Sequence, residues 1–336
     1  MLRIAPAALA AIGLISTAQA AAAQTAPSRL TEVSRAGITD FARLLVVERK
    51  PEQAFSRYFA PRLIQHDPEI ADGGSGDDAF LEERRQANPG KYAATDQFAN
   101  VVHTILADGD LVAIKSHVFT SPNDAGRVFV DIWRVEKGKF IEHWDVIQPI
   151  TPETANPAAI GCGVGASHAA ARAAGNTVAK PACGAPDRSV DSEASRRTVL
   201  AYMQMGQQPG KLEQAISTYL AEDFVQHSRH IPPGRQGLID YMQARDAARR
   251  ADKRTSHFAR TVADGNMVLV HRRVTTASDP RGRAIIDLFR LRDGRIAEHW
   301  DVIQPIPEHS VSGRSMVDGP LEPGRTKGPA KASAAH

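Results

Sequence analysis

Cysteine is nearly absent from this 336-residue chain: there are only two, Cys162 and Cys183. They sit in Gly-Cys-Gly and Ala-Cys-Gly settings between the two repeats described below. In an exported chain that placement fits a disulfide better than a metal or catalytic pair. Charge of one sign is also lacking. Lys and Arg exceed Asp and Glu by three, which argues against a nucleic-acid binder. The densest basic run, Arg245 to Arg254, is broken by Asp246 and Asp252, as on a solvated helical face. No Gly-x-Ser-x-Gly nucleophile elbow is present, so a serine hydrolase of that type is disfavoured. The N-terminal apolar run, Ile4 to Ile15, is shorter than the roughly 20 residues a membrane span needs. With Arg3 before it and Ala18-Gln19-Ala20 after it, the run reads as a cleaved export signal over residues 1–20. A periplasmic or secreted protein with no membrane attachment after cleavage is expected.

What is present is a repeat. Glu142-His143-Trp144-Asp145-Val146-Ile147-Gln148-Pro149-Ile150 recurs without change as Glu298 to Ile306. A match of nine residues is not chance, and a spacing of 156 residues is a domain rather than a solenoid repeat. Two copies of one domain are therefore expected, over 30–152 and 192–308. A linker spans 153–191, and a disordered, Gly/Pro/Ser-containing tail spans 309–336.

Each copy opens with two helical segments. Ile38, Phe41, Leu44 and Leu45 are followed by Ala54, Phe55 and Tyr58; Leu200 and Met203 are followed by Leu212, Ile216 and Tyr219. Gln65-His66 and Gln226-His227 come next. Gly76 and Gly237 then each precede a further helix. The remainder is strand-like, with Asp-Gly hairpin turns at Asp108-Gly109 and Asp264-Gly265. Helices first and antiparallel strands after indicate an α+β domain.

Alternation along the last strand puts His143 and Asp145 on one face and Glu142, Trp144 and Val146 on the other. On the strand before it, Asp131 shares the face of Phe129, Trp133 and Val135. Asp287 repeats this among Ile285, Phe289 and Leu291. A carboxylate among such neighbours is costly unless paired. A turn with glycine in the left-handed bulge position, at Glu136-Lys137-Gly138, pairs Asp131 with His143 and Asp287 with His299. A plain two-residue turn would instead set Asp131 opposite Trp144. The candidate catalytic set is Asp145, His143 and Asp131, with Asp301, His299 and Asp287 in the second copy. An imidazole held by a carboxylate, beside a carboxylate in an apolar site, suits proton transfer. It equally suits ligand binding, or a purely structural polar pair. His66, His117, Trp133, His227, His271 and Phe289 are candidate ligand-binding residues. His-x-Asp with a further histidine is a loose metal pattern, but spacing this open arises by chance. No metal is expected.

These motifs resemble the SnoaL-like proteins, the polyketide-cyclase branch of the nuclear transport factor 2-like superfamily. The residues that carry the resemblance are Gln-His after the helices, Ala-Asp-Gly-Asp, Val-Asp-Ile-Trp-Arg, and Gly-Lys-Phe-Ile-Glu-His-Trp-Asp-Val-Ile-Gln-Pro. The resemblance implies two tandem cone-shaped α+β barrels, with helices over a curved antiparallel sheet and an apolar pocket. It also implies cofactor-free acid/base chemistry of aldol, cyclase or isomerase type on a small carbonyl compound, with Asp145 and Asp301 in the central role. Related branches include non-catalytic binders, so a periplasmic binder of small apolar ligands is the alternative. The second-strand triplets, Lys115-Ser116-His117 and His271-Arg272-Arg273, depart from the family's His-Ser-His, and differently in the two copies. Family members pair sheet to sheet. The two copies are expected to do so within one chain as a pseudo-dimer, and a homo-oligomer is a further possibility.

Overall fold

A computed structural model describes residues 28–74, 82, 99–123, 125–150, 168–173, 178 and 183–318. The expected export signal over residues 1–20, Cys162, and nearly all of the helix expected after Gly76 lie outside them.

In the first copy α1 (Arg29–Ala42) starts at Ser28, whose hydroxyl accepts from the Thr31 amide at 3.1 Å, a standard N-cap that satisfies an orphan donor. Ile38, Phe41 and Ala42 form its buried stripe. A π-helical turn (Arg43–Val47) and α2 (Pro51–Tyr58) follow, the latter with proline at its first position, where its missing N–H costs nothing. The strands are β1 (Phe59–Gln65), β2 (Ala99–Asp108), β3 (Leu111–Phe119), β4 (Arg127–Glu136) and β5 (Lys139–Pro149). The linker carries α3 (His168–Ala173), whose Ala171 packs with Ala99, Val101 and Phe119 of β2 and β3.

The second copy repeats the plan. Its elements are α4 (Ser192–Gly206), α5 (Leu212–Tyr219), β6 (Leu220–Gln226), α6 (Gly234–Ala251), β7 (Thr255–Asp264), β8 (Met267–Thr275), β9 (Arg283–Arg292) and β10 (Arg295–Pro305). The sheets run β1-β5-β4-β3-β2 and β6-β10-β9-β8-β7. Both are open and mixed rather than closed and wholly antiparallel, because β1 and β6 pair parallel to β5 and β10. No helix among the described residues is long and apolar enough to cross a membrane.

The β4–β5 register differs from both sequence expectations. Glu136 pairs with Lys139 across a two-residue turn, and Asp131 lies opposite Asp145. Lys137 and Gly138 both have positive φ, at 50° and 76°, as a primed turn requires. One extra residue, Ile141, then bulges out of β5 and moves the register on by one. The same happens at Asp293-Gly294 and Ala297, so Asp287 lies opposite Asp301. Each bulge lets residues on either side of it, Phe140 with His143 and Ile296 with His299, face the same way.

One face of each sheet packs under its own helices. The first copy gathers Phe41, Phe55, Phe59, Trp133 and Phe140 there, and the second gathers Met203, Ile216, Leu220, Phe289 and Ile296. The other faces pack on each other. Val130, Ile132, Trp144 and Val146 share one core with Leu269, Ile286, Leu288, Trp300 and Val302. Hydrogen bonds across this junction come in matched pairs. Gln304 Oε1 accepts from Ile147 N at 2.6 Å, and Gln148 Oε1 from Ile303 N at 3.0 Å. Asp264 accepts from Ala107 N at 3.2 Å, and Asp108 from Ala263 N at 3.0 Å. Reciprocity of this kind is the signature of a two-fold interface.

Over residues 309–318 the chain is packed rather than disordered as expected, while residues 319–336 lie outside the described residues. Ser312 Oγ bonds Gln65 O at 2.9 Å, and the buried side chains of Met316 and Val317 join the core between the sheets. Composition hides this, since two well-placed apolar side chains suffice to dock a polar segment.

Candidate active site

The helix-side face of each sheet holds the acidic set. In the second copy Asp287 on β9 and Asp301 on β10 are directly opposed, a destabilising arrangement for like charges. Three groups relieve it. Arg272 on β8 grips Asp287 with two bonds, Nε to Oδ2 at 2.5 Å and Nη2 to Oδ1 at 3.2 Å. His299 Nε2 stands 3.1 Å from the same Oδ1. Ser228 Oγ donates to Asp301 Oδ2 at 2.8 Å. The other Asp301 oxygen, Oδ1, is buried and has no hydrogen-bond partner among the described residues.

The histidine's orientation follows from its neighbours. His299 Nδ1 lies 2.9 Å from Gln226 Oε1, and that oxygen also accepts from Ser228 N at 2.9 Å. The backbone N–H fixes the amide orientation, so Nδ1 must donate. With a carboxylate at Nε2 as well, both ring nitrogens face acceptors. Phe289 stacks on the ring with centroids 4.7 Å apart.

The two carboxylates are driven in opposite directions. Burial raises the Asp287 carboxyl, but the Arg272 charge and the bonds from His299 and Arg272 outweigh it and hold it far below the usual carboxylate range. Asp301 moves upward. Burial is the main cause and the Asp287 charge adds to it, against the pull of His299 and the Ser228 bond. Tyr202 on α4 is pushed up by burial and by the Asp287 charge, with Arg272 opposing. It stays a neutral phenol with a proton to donate.

The first copy keeps the frame and changes the charge balance. His143 Nδ1 bonds Gln65 Oε1 at 2.8 Å, and Nε2 reaches Asp131 Oδ1 at 3.4 Å. The Asp–His pair expected from the sequence thus forms in both copies, as a diagonal contact rather than between directly opposed residues. Trp133 stacks on His143 at 5.0 Å. Ser116 stands where the second copy has Arg272, as the partners Phe129 and Ile285 show. Asp131, His143 and Asp145 bring donor atoms within 4.8 Å of one another. Two carboxylates and an imidazole are a reasonable partial set for a divalent cation. In the second copy Arg272 already supplies the positive charge.

Four of the six candidate ligand-binding residues lie elsewhere. Because β1 runs parallel to β5, Gln65 meets His143 and the next residue, His66, turns to the opposite face. There it stacks on Trp144 at 5.0 Å and bonds Glu142 Oε1 at 3.0 Å and Ser315 O at 2.7 Å. His227 repeats this on Trp300, at 4.6 Å, and Glu298, at 3.1 Å. His117 and His271 share the face of Ala113 and Leu269, between the sheets. His117 Nε2 bonds Ala125 O at 3.3 Å, and His271 Nδ1 bonds Arg260. Only Trp133 and Phe289 stay beside the acidic sets.

Sequence reasoning did not assign Arg272, Ser228, Tyr202 or the glutamines Gln65 and Gln226. The glutamines left a signal, since each precedes the histidine in both copies. Arg272 left a weaker one, as part of a triplet that differed from its counterpart.

The model of the SnoaL-like domain family matches residues 38–143 and 199–299, more than half of the chain. No curated protein matches. Among solved structures, IdmH, a putative polyketide cyclase from Streptomyces antibioticus, is 23% identical over 33% of this chain and 91% of its own, with a TM-score of 0.26. A putative polyketide cyclase from Sinorhizobium meliloti is 23% identical over 32% and 94%, at 0.26. A putative ketosteroid isomerase from Kribbella flavida is 17% identical over 43% and 96%, at 0.30. With both repeats matched in turn, the chain belongs to the SnoaL-like domain family, as two tandem copies of its α+β fold.

Proposed function

We propose that the chain is an exported acid/base catalyst, working without a cofactor on a small carbonyl compound in an aldol, cyclase or isomerase reaction. The observation that carries this reading is the directly opposed pair Asp287 and Asp301, one held by a guanidinium and an imidazole and the other desolvated with an oxygen to spare. A desolvated carboxylate binds a proton more tightly and so accepts one from carbon near neutral pH. Asp301 would take the proton α to a carbonyl, leaving an enolate. The enolate either attacks a second carbonyl carbon, with a proton returned to the alkoxide formed, or is reprotonated at another carbon. Tyr202, which senses the Asp287 and Arg272 charges, would donate to the developing oxyanion.

The test is deuterium exchange from D2O into the α-position of a β-diketone, followed by NMR for the wild type, Asp301→Asn and Asp145→Asn. Exchange lost in Asp301→Asn supports the reading. Absence of exchange and of turnover across a panel of carbonyl compounds, with apolar ligands still bound, overturns it in favour of a periplasmic binder. The aromatic filling of the first copy, Phe41 against Trp133 at 5.4 Å and Phe140 at 5.2 Å, favours a structural role for that half. Export and a Cys162–Cys183 crosslink belong to the same proposal; intact mass of the secreted chain, with and without reductant, tests both.

A further inference from the structure

We propose that Arg272 is the positioning residue that assigns the acid/base work to the second copy, by holding Asp287 as a permanent ion pair and leaving Asp301 as the proton carrier. The inference rests on the acid/base reading above and narrows it to one copy and one carboxylate.

The duplication supplies an internal control. Both copies oppose two aspartates across their last hairpin, Asp131 with Asp145 and Asp287 with Asp301. Both place a histidine diagonally from the first aspartate, and both hold that histidine by a glutamine. Around that frame Ser116 stands against Arg272 on the neighbouring strand, and Phe41, Asp67 and Trp133 stand against Tyr202, Ser228 and Phe289; of these eight residues Arg272 alone carries a positive charge. Arg272 takes both Asp287 oxygens, and His299 adds a bond to one of them. A carboxylate bound in this way neither gives nor receives a proton readily. Asp301 is left with one hydroxyl donor and one buried oxygen without a partner among the described residues. Among the described residues no guanidinium reaches Asp131, and its histidine contact is the longer of the two, at 3.4 Å.

The charged and titratable groups facing Asp301 come from every surrounding element. His299 is on its own strand, Asp287 on β9 and Arg272 on β8. Tyr202 on α4 faces the Asp287–Arg272 pair, and His230 follows β6. Lys115, from β3 of the first copy, also senses the Asp301 charge. Of these, Arg272 alone makes two bonds to Asp287.

The experiment uses the full chain with 13C-labelled aspartate, reading carboxylate titrations by NMR beside the β-diketone exchange. In the wild type Asp287 and Asp301 are expected to titrate in separate steps, below and above the ordinary carboxylate range. Arg272→Gln should bring the two steps together, lower exchange at least tenfold and move its pH profile. Because that variant strands a buried Asp287 charge and is at risk of misfolding, Arg272→Gln with Asp287→Asn is made as well. Removing both partners should recover several-fold of the exchange lost in Arg272→Gln, since Asp301 remains. Titrations and a pH profile that Arg272→Gln does not move overturn the proposal. So does a double variant as inactive as the single one. If the wild type shows no exchange but Arg272→Gln merges the titrations, the positioning role stands and the acid/base reading falls.

Discussion

Neutralising either of two facing carboxylates should change stability in opposite directions, and the signs follow from the contacts. Asp287→Asn removes one partner of a buried ion pair and leaves the Arg272 guanidinium, whose side chain is 13% exposed, without its counter-charge. Breaking such a pair from one side costs about 3–5 kcal/mol. Asp301→Asn removes a charge held in a desolvated site opposite another carboxylate, one of whose oxygens has no partner among the described residues. An unsatisfied buried group costs about 1–3 kcal/mol, and asparagine, still polar, recovers only part of it, so a gain of about 1 kcal/mol at pH 7 is expected. Linkage then separates the two by pH. Asp287 is depressed on folding, so its contribution is complete above the unfolded value near 3.9 and is lost as pH falls through the folded value. Asp301 is raised, so its penalty is absent below about pH 3.9 and develops as pH climbs from there through the folded value. The advantage of Asp301→Asn should accordingly fade toward pH 4. Urea unfolding followed by far-UV circular dichroism at pH 4, 5.5 and 7 measures both. An Asp301→Asn chain that is less stable than wild type at pH 7, or whose difference does not depend on pH, refutes the argument. Asp131→Asn serves as a control: with no arginine lost, it should cost clearly less than Asp287→Asn.

Three further outcomes are expected. Asp264 and Asp108 hold equivalent places at the junction, but the side chain of Asp264 is 2% exposed and that of Asp108 26%; Asp264→Ala should cost about 3–4 kcal/mol and Asp108→Ala about 1, and equal midpoints in urea would contradict this. Lys115 lies between the sheets with Nζ 3.0 Å from His103 Nδ1, and burial pushes its ammonium down to about 7 against the pull of Asp301. Lys115→Met should therefore stabilise the chain by at most about 5 kcal/mol at pH 7, with the gain disappearing as pH rises toward 10; thermal melts across that range test the sign. Met316 is 1% exposed, and Met316→Ala should cost about 2–5 kcal/mol, whereas a solvated tail would make the change silent in a urea titration.

Much of this arrangement is legible in the sequence because it depends on local periodicity. The repeated nonapeptide shows the duplication, and alternation puts His143 and Asp145 on one face with Trp144 on the other, as observed. What is not legible depends on partners that periodicity does not name. Ile141 bulges because β5 must pair with both β1 and β4, so no count along the hairpin alone gives the register. The face of His66 depends on β1 running parallel to β5, a choice made by topology. Met316 and Val317 are two apolar residues in a polar tail, and only the junction between the sheets gives them a place. Arg272 reads only as a departure from the family's serine until Asp287 is seen within its reach.

The junction also suggests what fusion of two copies permits. Each central indole takes cations from two sides. Arg134 lies 5.6 Å from the Trp144 ring on the same sheet, and Arg290 lies 6.0 Å from Trp300. These positions match. The second cation comes from the other copy and does not match: Arg260 of β7 sits 3.9 Å over Trp144, while Lys115 of β3 sits 5.7 Å over Trp300. At the positions equivalent to Arg260 and Lys115 stand Thr104 and His271. In a dimer of identical chains any substitution appears on both sides of the axis, so an arginine at the β7 position would face both indoles. A fused pair can fill one side from β7 and the other from β3. The same freedom operates on the opposite face of β8, where Arg272 has no counterpart in Ser116. The nonapeptide has both faces committed, Trp144 and Val146 to the other sheet, His143 and Asp145 to the acidic set, and it is the stretch that has not diverged. Change has gathered on the strands beside it, where one copy acquires a guanidinium without imposing it on the other.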